Sequence, residues 1–355
     1  MSRYDVAIVG AGMAGAGLAA ALAGEARVLL LEAEDRPGYH STGRSAAFWS
    51  ETYGGPLIQP LTSASRAALA PFLSPRGCIH IADAAGEAAL AALAEEFAGA
   101  DVALQPLTRA DLEATLPGLK PGWDRGLSEP TCADIDVAAL HAACLRAAGT
   151  DLVVDARLQG AERSGGSWRI ATGAGAFEAD ILVNAAGAWA DAAALAAGER
   201  PLGIQPYRRT IAQLRIDPPA PADLPLIVDA AGRFYFKPEA GGRLWLSPHD
   251  ETASDPCDCA PEELDVAIAI DRLERLVGWR IEAVEHKWAG LRTFAPDRLP
   301  VYGFSPSGRG FFWCAGQGGF GIQTAPAASA LAAGLLLGRP AGDIDPGPYA
   351  AGRFA

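Results

Sequence analysis

The sequence predicts an α/β fold (α+β overall) in which a parallel-sheet domain is interrupted by an inserted antiparallel-sheet domain. Three observations predict it. The chain opens with a strand over 4–9, a helix over 13–23 and a strand over 28–31, the βαβ start of a parallel sheet. Two later apolar runs share that texture, Ile181-Leu182-Val183-Asn184 and Phe311-Phe312-Trp313-Cys314-Ala315, and the second leads through glycines into a helix from about Ile322. Between them lie alternating, aromatic strand patterns over 206–216 and 226–247, such as Arg233-Phe234-Tyr235-Phe236-Lys237 and Arg243-Leu244-Trp245-Leu246.

Helices are expected over 84–97, which is rich in Ala and Glu, and over 262–277, which has an apolar face. Pro- and Asp-rich joints fall at 217–225 and 255–261. The parallel-sheet domain is therefore assigned to 1–48, 130–205 and 286–355, and the inserted domain to 49–129 and 206–285.

The bulk numbers bound the function. A chain of 355 residues has room for two domains of roughly 100–200 residues each. Half the residues are apolar and a fifth are charged, a globular profile. A net charge of −13 makes a nucleic-acid partner a poor expectation, because a phosphate backbone needs a Lys/Arg surface. The Ala-rich segment 325–337 is too short to span a bilayer and is broken by Pro326 and Gly334. The apolar run Val6-Ala7-Ile8-Val9 reads as a strand rather than a signal peptide, so a cytoplasmic location is expected. The six cysteines form no CxxC pair and the five histidines are scattered, so free thiols and no metal are expected.

The chemistry begins at Gly10-Ala11-Gly12-Met13-Ala14-Gly15, a G-x-G-x-x-G run between the first strand and helix. Gly10 permits the tight turn, Gly12 lets backbone N–H groups approach a pyrophosphate, and Gly15 allows close helix–strand packing. The helix N-terminus favours the phosphate charge. Glu32, 22 positions after Gly10, ends the second strand, where a carboxylate accepts hydrogen bonds from ribose hydroxyls. Such a unit is Rossmann-type, and on this motif alone FAD and NAD remain open.

Several motifs in one order narrow the choice. They are Gly38-Tyr39-His40-Ser41-Thr42-Gly43-Arg44-Ser45-Ala46-Ala47, Ala133-Asp134-Ile135-Asp136, LVNAAGAW over 182–189, Trp288-Ala289-Gly290-Leu291-Arg292 and Gln317-Gly318-Gly319-Phe320-Gly321-Ile322-Gln323-Thr324. Together they resemble the D-amino-acid-oxidase superfamily of FAD enzymes over nearly the whole chain, and within it most closely the D-arginine dehydrogenases.

The resemblance implies FAD, and an NAD enzyme would leave 38–47 and 317–324 without a role. It implies cofactor contacts from Gly10, Gly12, Met13, Ala14, Gly15, Glu32, Ser41, Thr42, Arg44, Ser45, Ala46, Ala186, Gly187, Trp189, Gly318, Gly319, Phe320, Gly321 and Ile322. Ser41, Thr42 and Ser45 offer short hydroxyls, and Arg44 a charge for the phosphate. The flavin is expected to be noncovalent, since Thr293 follows Arg292 and no cysteine stands beside it.

On the substrate side the resemblance carries a carboxylate anchor to Arg292 and Arg209, with Arg208 as the opposite-facing neighbour. Arg is suited to this role because its fork matches a carboxylate bidentately. The resemblance also carries hydroxyl partners to Tyr53 and Tyr235, and an acceptor for the substrate amine to the Gly319 carbonyl. Two positions depart from the arginine enzymes. Gly77 and Cys78 replace the acid that would pair with a guanidinium, and Phe48, followed by Trp49, replaces an active-site histidine. Phe48, Trp49 and Trp245 suggest an apolar pocket.

The expected function is FAD-dependent oxidation of an amino acid, giving an imino acid that hydrolyses to the keto acid. A neutral or apolar D-amino acid is the main expectation for the substrate. The alternatives are a secondary amine or a glycine- or sarcosine-like amino acid, and, in another class, an FAD-binding protein without amine chemistry. The acceptor that reoxidises the flavin is left open.

Overall fold

A computed structural model describes residues 3–340 and 342–354. The first sheet places Phe311–Ala315, Gly175–Asn184, Arg3–Val9, Val28–Leu31 and Asp151–Val153 side by side and parallel. The apolar runs are continuous because both faces are covered. Val6 and Ile8 pack into one core with Leu18, Leu22 and Leu331, whereas Ala7 and Val9 pack into another with Leu182 and Trp313. Helices Met13–Ala21, Val137–Ala148 and Ala325–Leu336 serve the first of these cores. Asp136 caps the middle one by accepting from Ala139 N (2.9 Å), and Gly149 ends it in the left-handed region (φ 54°).

The second sheet runs Gln317–Gly318, Arg280–Phe294, Gln205–Asp217, Arg243–Ser247, Tyr235–Glu239, Leu226–Asp229, Cys78–Ala82, Arg125–Glu129, Gln105–Leu107. It is antiparallel except at one seam, where Leu226–Asp229 runs parallel to Cys78–Ala82. That seam joins the two separated stretches of chain that build the sheet. Helix Glu263–Leu276 packs on it through Val266, Ala269, Leu273 and Leu276, one face of a helical period.

The two sheets are linked where the site forms. After Phe311–Ala315 the chain crosses over, and Gly318 pairs with Thr293 of the second sheet. The turn 319–324 thus lies between the sheets.

The structure moves three expected boundaries. The last helix starts at Ala325, not near Ile322; residues 319–324 are turns, and Pro326 suits the first helical turn because its missing N–H would be unpaired there anyway. The first helix stops at Ala21, and Gly24 (φ 77°) turns the chain. The boundary expected at 286 falls inside the strand Arg280–Phe294, because one unbroken ladder with Gln205–Asp217 spans it. Among the described residues no helix is long and apolar enough to cross a membrane.

Candidate active site

The glycine turn is shaped by close approach. A Cβ on Gly15 would stand 1.9 Å from the Gly10 carbonyl oxygen, and one on Gly10 would stand 2.4 Å from that of Ala185. Gly10 also needs φ 105°, which only glycine adopts readily. These two glycines let the helix and the Asn184–Ala185 strand end close in. Thr42 Oγ1 then accepts from Met13 N (3.0 Å), tying the 38–47 loop to the helix N-terminus. Glu32 is buried, and its two oxygens accept from Ala11 N (3.0 Å) and Glu34 N (3.1 Å).

A cavity of about 430 Å³ runs from this turn toward the second sheet, within the size range of small-molecule sites. All the expected cofactor residues except Gly15 and Phe320 line it. Gly15 serves packing. Phe320 is turned into a cluster with Ile58 and Phe294, because its ring is large and apolar. Glu34, Ala156 and Arg157 also line the cavity. Arg157 pairs with Glu34 (3.2 Å), and nothing in their spacing marks either residue.

Arg44 lines the cavity with its charge already committed. Its guanidinium pairs with Asp258 and donates to the carbonyls of Cys259 (3.0 Å) and Ala289 (3.2 Å). These bonds brace the loop against the second sheet. Trp49 is likewise core rather than pocket: it is fully buried and donates from Nε1 to the Thr62 carbonyl (3.0 Å). Trp245 is tied to Gln213 (3.0 Å) and packs edge-on against Trp288.

Arg209 and Arg292 lie on adjacent antiparallel strands and both reach the cavity. Arg208 points the other way, to Glu262 and Asp265 (2.9 Å to the latter). Arg209 donates from Nε to the Asp250 carbonyl (2.7 Å) and from Nη2 to Glu251 (3.2 Å). Among the described residues its Nη1 has no partner, nor does Nη1 of Arg292, nor the hydroxyl of Tyr235; all three atoms are buried. Burial and the neighbouring Arg292 lower the Arg209 pKa to about 10.

Tyr53 and Tyr235 do not line that cavity, but both lie close to Arg292. A Cβ on Gly319 would stand 2.0 Å from Tyr53 Oη and 3.3 Å from Arg292 Nε, so both groups converge on this glycine. Phe48 packs 5.4 Å from the Tyr53 ring and 6.0 Å from that of Tyr235, making an aromatic wall. Sequence reasoning missed His249, whose ring meets Tyr235 edge-on at 5.6 Å. Its Nδ1 donates to the Gly232 carbonyl (2.8 Å), which leaves Nε2 with the lone pair. Burial, Arg209 and Arg292 hold it well below the usual histidine range, hence neutral. Its backbone sits at φ 56°, a conformation that no pattern in the sequence announces.

The family model described as FAD dependent oxidoreductase (DAO) matches residues 5–335. A glycine oxidase of Pseudomonas aeruginosa is 32% identical over 70% of this chain and 69% of its own. A glycine oxidase of Geobacillus kaustophilus is 29% identical over 94% of this chain and 93% of its own. The crystal structure of glycine oxidase from Geobacillus kaustophilus superposes with a TM-score of 0.85, at 25% identity, over 99% of this chain and 98% of that one. These relatives are glycine oxidases, not the D-arginine dehydrogenases that the sequence motifs resemble.

Proposed function

This chain belongs to the FAD dependent oxidoreductase family, and we propose that it oxidises the C–N bond of a small α-amino acid, glycine or a secondary amine of the sarcosine or proline type. The observation that carries the reading is the trio of buried, unpartnered atoms, Arg209 Nη1, Arg292 Nη1 and Tyr235 Oη. Two buried guanidinium groups without a shared anion are costly, and a substrate carboxylate supplies both the charge and the acceptors. The similarity to glycine oxidases supports a small substrate, as does the convergence of Tyr53 and Arg292 on Gly319.

The Gly10–Gly15 turn, Glu32, the 38–47 loop and the 318–322 turn would hold FAD, which would supply the hydride acceptor for the substrate carbon. The remaining work belongs to the chain. Arg292 and Arg209 hold the carboxylate, with Tyr53 and Tyr235 donating from their hydroxyls. The Gly319 carbonyl accepts from the amine and aims it. Two guanidinium groups nearby favour loss of the ammonium proton, leaving the neutral amine whose lone pair drives oxidation. The imino product then hydrolyses in water.

A second reading, a neutral D-amino acid, is favoured by the aromatic wall of Phe48, Tyr53 and Tyr235. Anaerobic mixing of the FAD-loaded protein with glycine, sarcosine, proline, D-alanine and D-leucine separates the two by loss of flavin colour. Bleaching by the first three supports the main reading. Bleaching by D-leucine alone favours the second, and no bleaching at all removes both.

A further inference from the structure

Glu129, at the end of the strand Arg125–Glu129, has no solvent exposure. A buried carboxylate is costly unless hydrogen bonds replace its water. Its Oε1 accepts from Glu51 N (2.6 Å), and its Oε2 accepts from Ser50 Oγ (2.9 Å) and Thr52 Oγ1 (2.7 Å). Burial pushes its pKa up, but His80, Thr52 and Ser50 together hold it below its ordinary value, so it stays ionised. Residues 50, 51 and 52 are thus fastened to one charge, and the next residue is Tyr53.

A second fastening reaches the same segment from the other side. Gln323 accepts from Ser50 N (3.2 Å) and donates to the Tyr53 carbonyl (3.1 Å) and to Thr62 Oγ1 (2.9 Å). Gln323 belongs to the turn that carries Gly319, against which the Tyr53 hydroxyl stands. The backbone of 50–53 is therefore clamped between Glu129 and the flavin-side turn.

Cys78, His80 and Glu129 also present ligand atoms within 4.8 Å of one another, a set of types that binds zinc. The hydrogen bonds account for the cluster without an ion. Both lone pairs of Glu129 Oε2 are used by Ser50 and Thr52, and His80 Nε2 lies 3.2 Å from Thr52 Oγ1.

We propose that Glu129 is a positioning residue: by holding residues 50–52 it sets the Tyr53 hydroxyl against Gly319, and so governs capture of the substrate carboxylate. This rests on the reading of Tyr53 as a substrate partner. No contact between Glu129 and substrate is required.

The test is a double-mutant cycle on the FAD-loaded enzyme, with KM for glycine and Kd for acetate as readouts, the latter from the flavin spectrum. Tyr53→Phe should raise both about tenfold, the loss of one hydrogen bond to a charged group. Glu129→Gln keeps the shape but turns an NH2 toward one of the donors, and should raise both by a similar factor with FAD content unchanged. The decisive result is the pair: in the Tyr53→Phe background Glu129→Gln should add nothing to KM or Kd, although it still lowers Tm. Additive effects, or a wild-type KM in Glu129→Gln, would overturn the proposal. So would stoichiometric zinc in the purified holoenzyme. If Glu129→Gln does not fold, Thr52→Val takes its place, with an expected rise of about threefold that again vanishes in Tyr53→Phe. A Tyr53→Phe enzyme with unchanged KM and Kd would instead remove Tyr53 from the substrate site and overturn the underlying reading as well.

Discussion

Arg209 and Arg292 stand diagonally across two neighbouring antiparallel strands. Arg209 pairs with Gly290 and Arg292 with Tyr207, so alternation puts both guanidinium groups on one face. Gly290, directly opposite Arg209, lies against the 38–47 loop, where a Cβ would stand 3.3 Å from Arg44 Cβ. Among the described residues Nη1 of each is buried without a partner, and the Tyr235 hydroxyl is unpartnered too. Two like charges placed so gain most when an anion binds between them.

The cofactor end gives a first prediction. A Cβ on Gly12 would stand 3.2 Å from Thr42 Oγ1, and the rest of a valine side chain would enter the cavity. Gly12→Val should therefore purify folded and colourless. Far-UV circular dichroism and flavin absorbance check this; a yellow variant with normal FAD stoichiometry would contradict the assignment.

Arginine should be a poor substrate. Gly77 and Cys78 offer no carboxylate, and the buried Cys78 thiol, its pKa pushed well up by burial, offers no negative charge. Beside it lie Tyr235 and Phe48, and the neighbouring acid, Glu129, is already held by Glu51 N, Ser50 and Thr52. A buried guanidinium without a partner costs several kcal/mol, on the order of a hundredfold or more in binding. Values of kcat/KM for arginine and for small neutral amino acids, in whichever enantiomer reacts, check this; a clear preference for arginine would refute it.

His249 ties stability to pH. Its folded-state pKa is depressed by burial and by Arg209 and Arg292, while in the unfolded chain it is near 6.5. The unfolded state therefore binds the proton first, so the stability is fully present above about pH 6.5 and is lost as pH falls toward the folded value. His249→Asn removes the titration and tolerates the left-handed backbone. Thermal melts from pH 8 to pH 5 should fall more steeply for the wild type than for this variant; parallel curves would show that His249 is not buried neutral.

Much of this is legible in the chain because it depends on local pattern. The glycine turn, Glu32 and the apolar strands carry their geometry in their spacing, and the two-residue period of a strand is enough to separate Arg208 from Arg209. What is not legible depends on distant partners. Arg44 reads as a lone loop cation, but Asp258, more than two hundred residues away, pairs with it. Trp49 reads as pocket because nothing in its neighbours says that Thr62 receives its N–H. His249 and Glu129 become visible only when Gly232 and residues 50–52 are brought beside them.

Arg292→Met, compared with Arg292→Lys, tests the account most directly. Two charge-assisted bonds to the carboxylate contribute roughly 1.5–3 kcal/mol each, and about 1.4 kcal/mol is a decade in rate. The Met variant should keep its FAD and lose about two orders of magnitude or more in kcat/KM for glycine or the best secondary amine. The Lys variant, which keeps the charge but not the fork, should lose less. Near wild-type kcat/KM in the Met variant, or loss of its flavin, would contradict the claim that Arg292 is the carboxylate anchor.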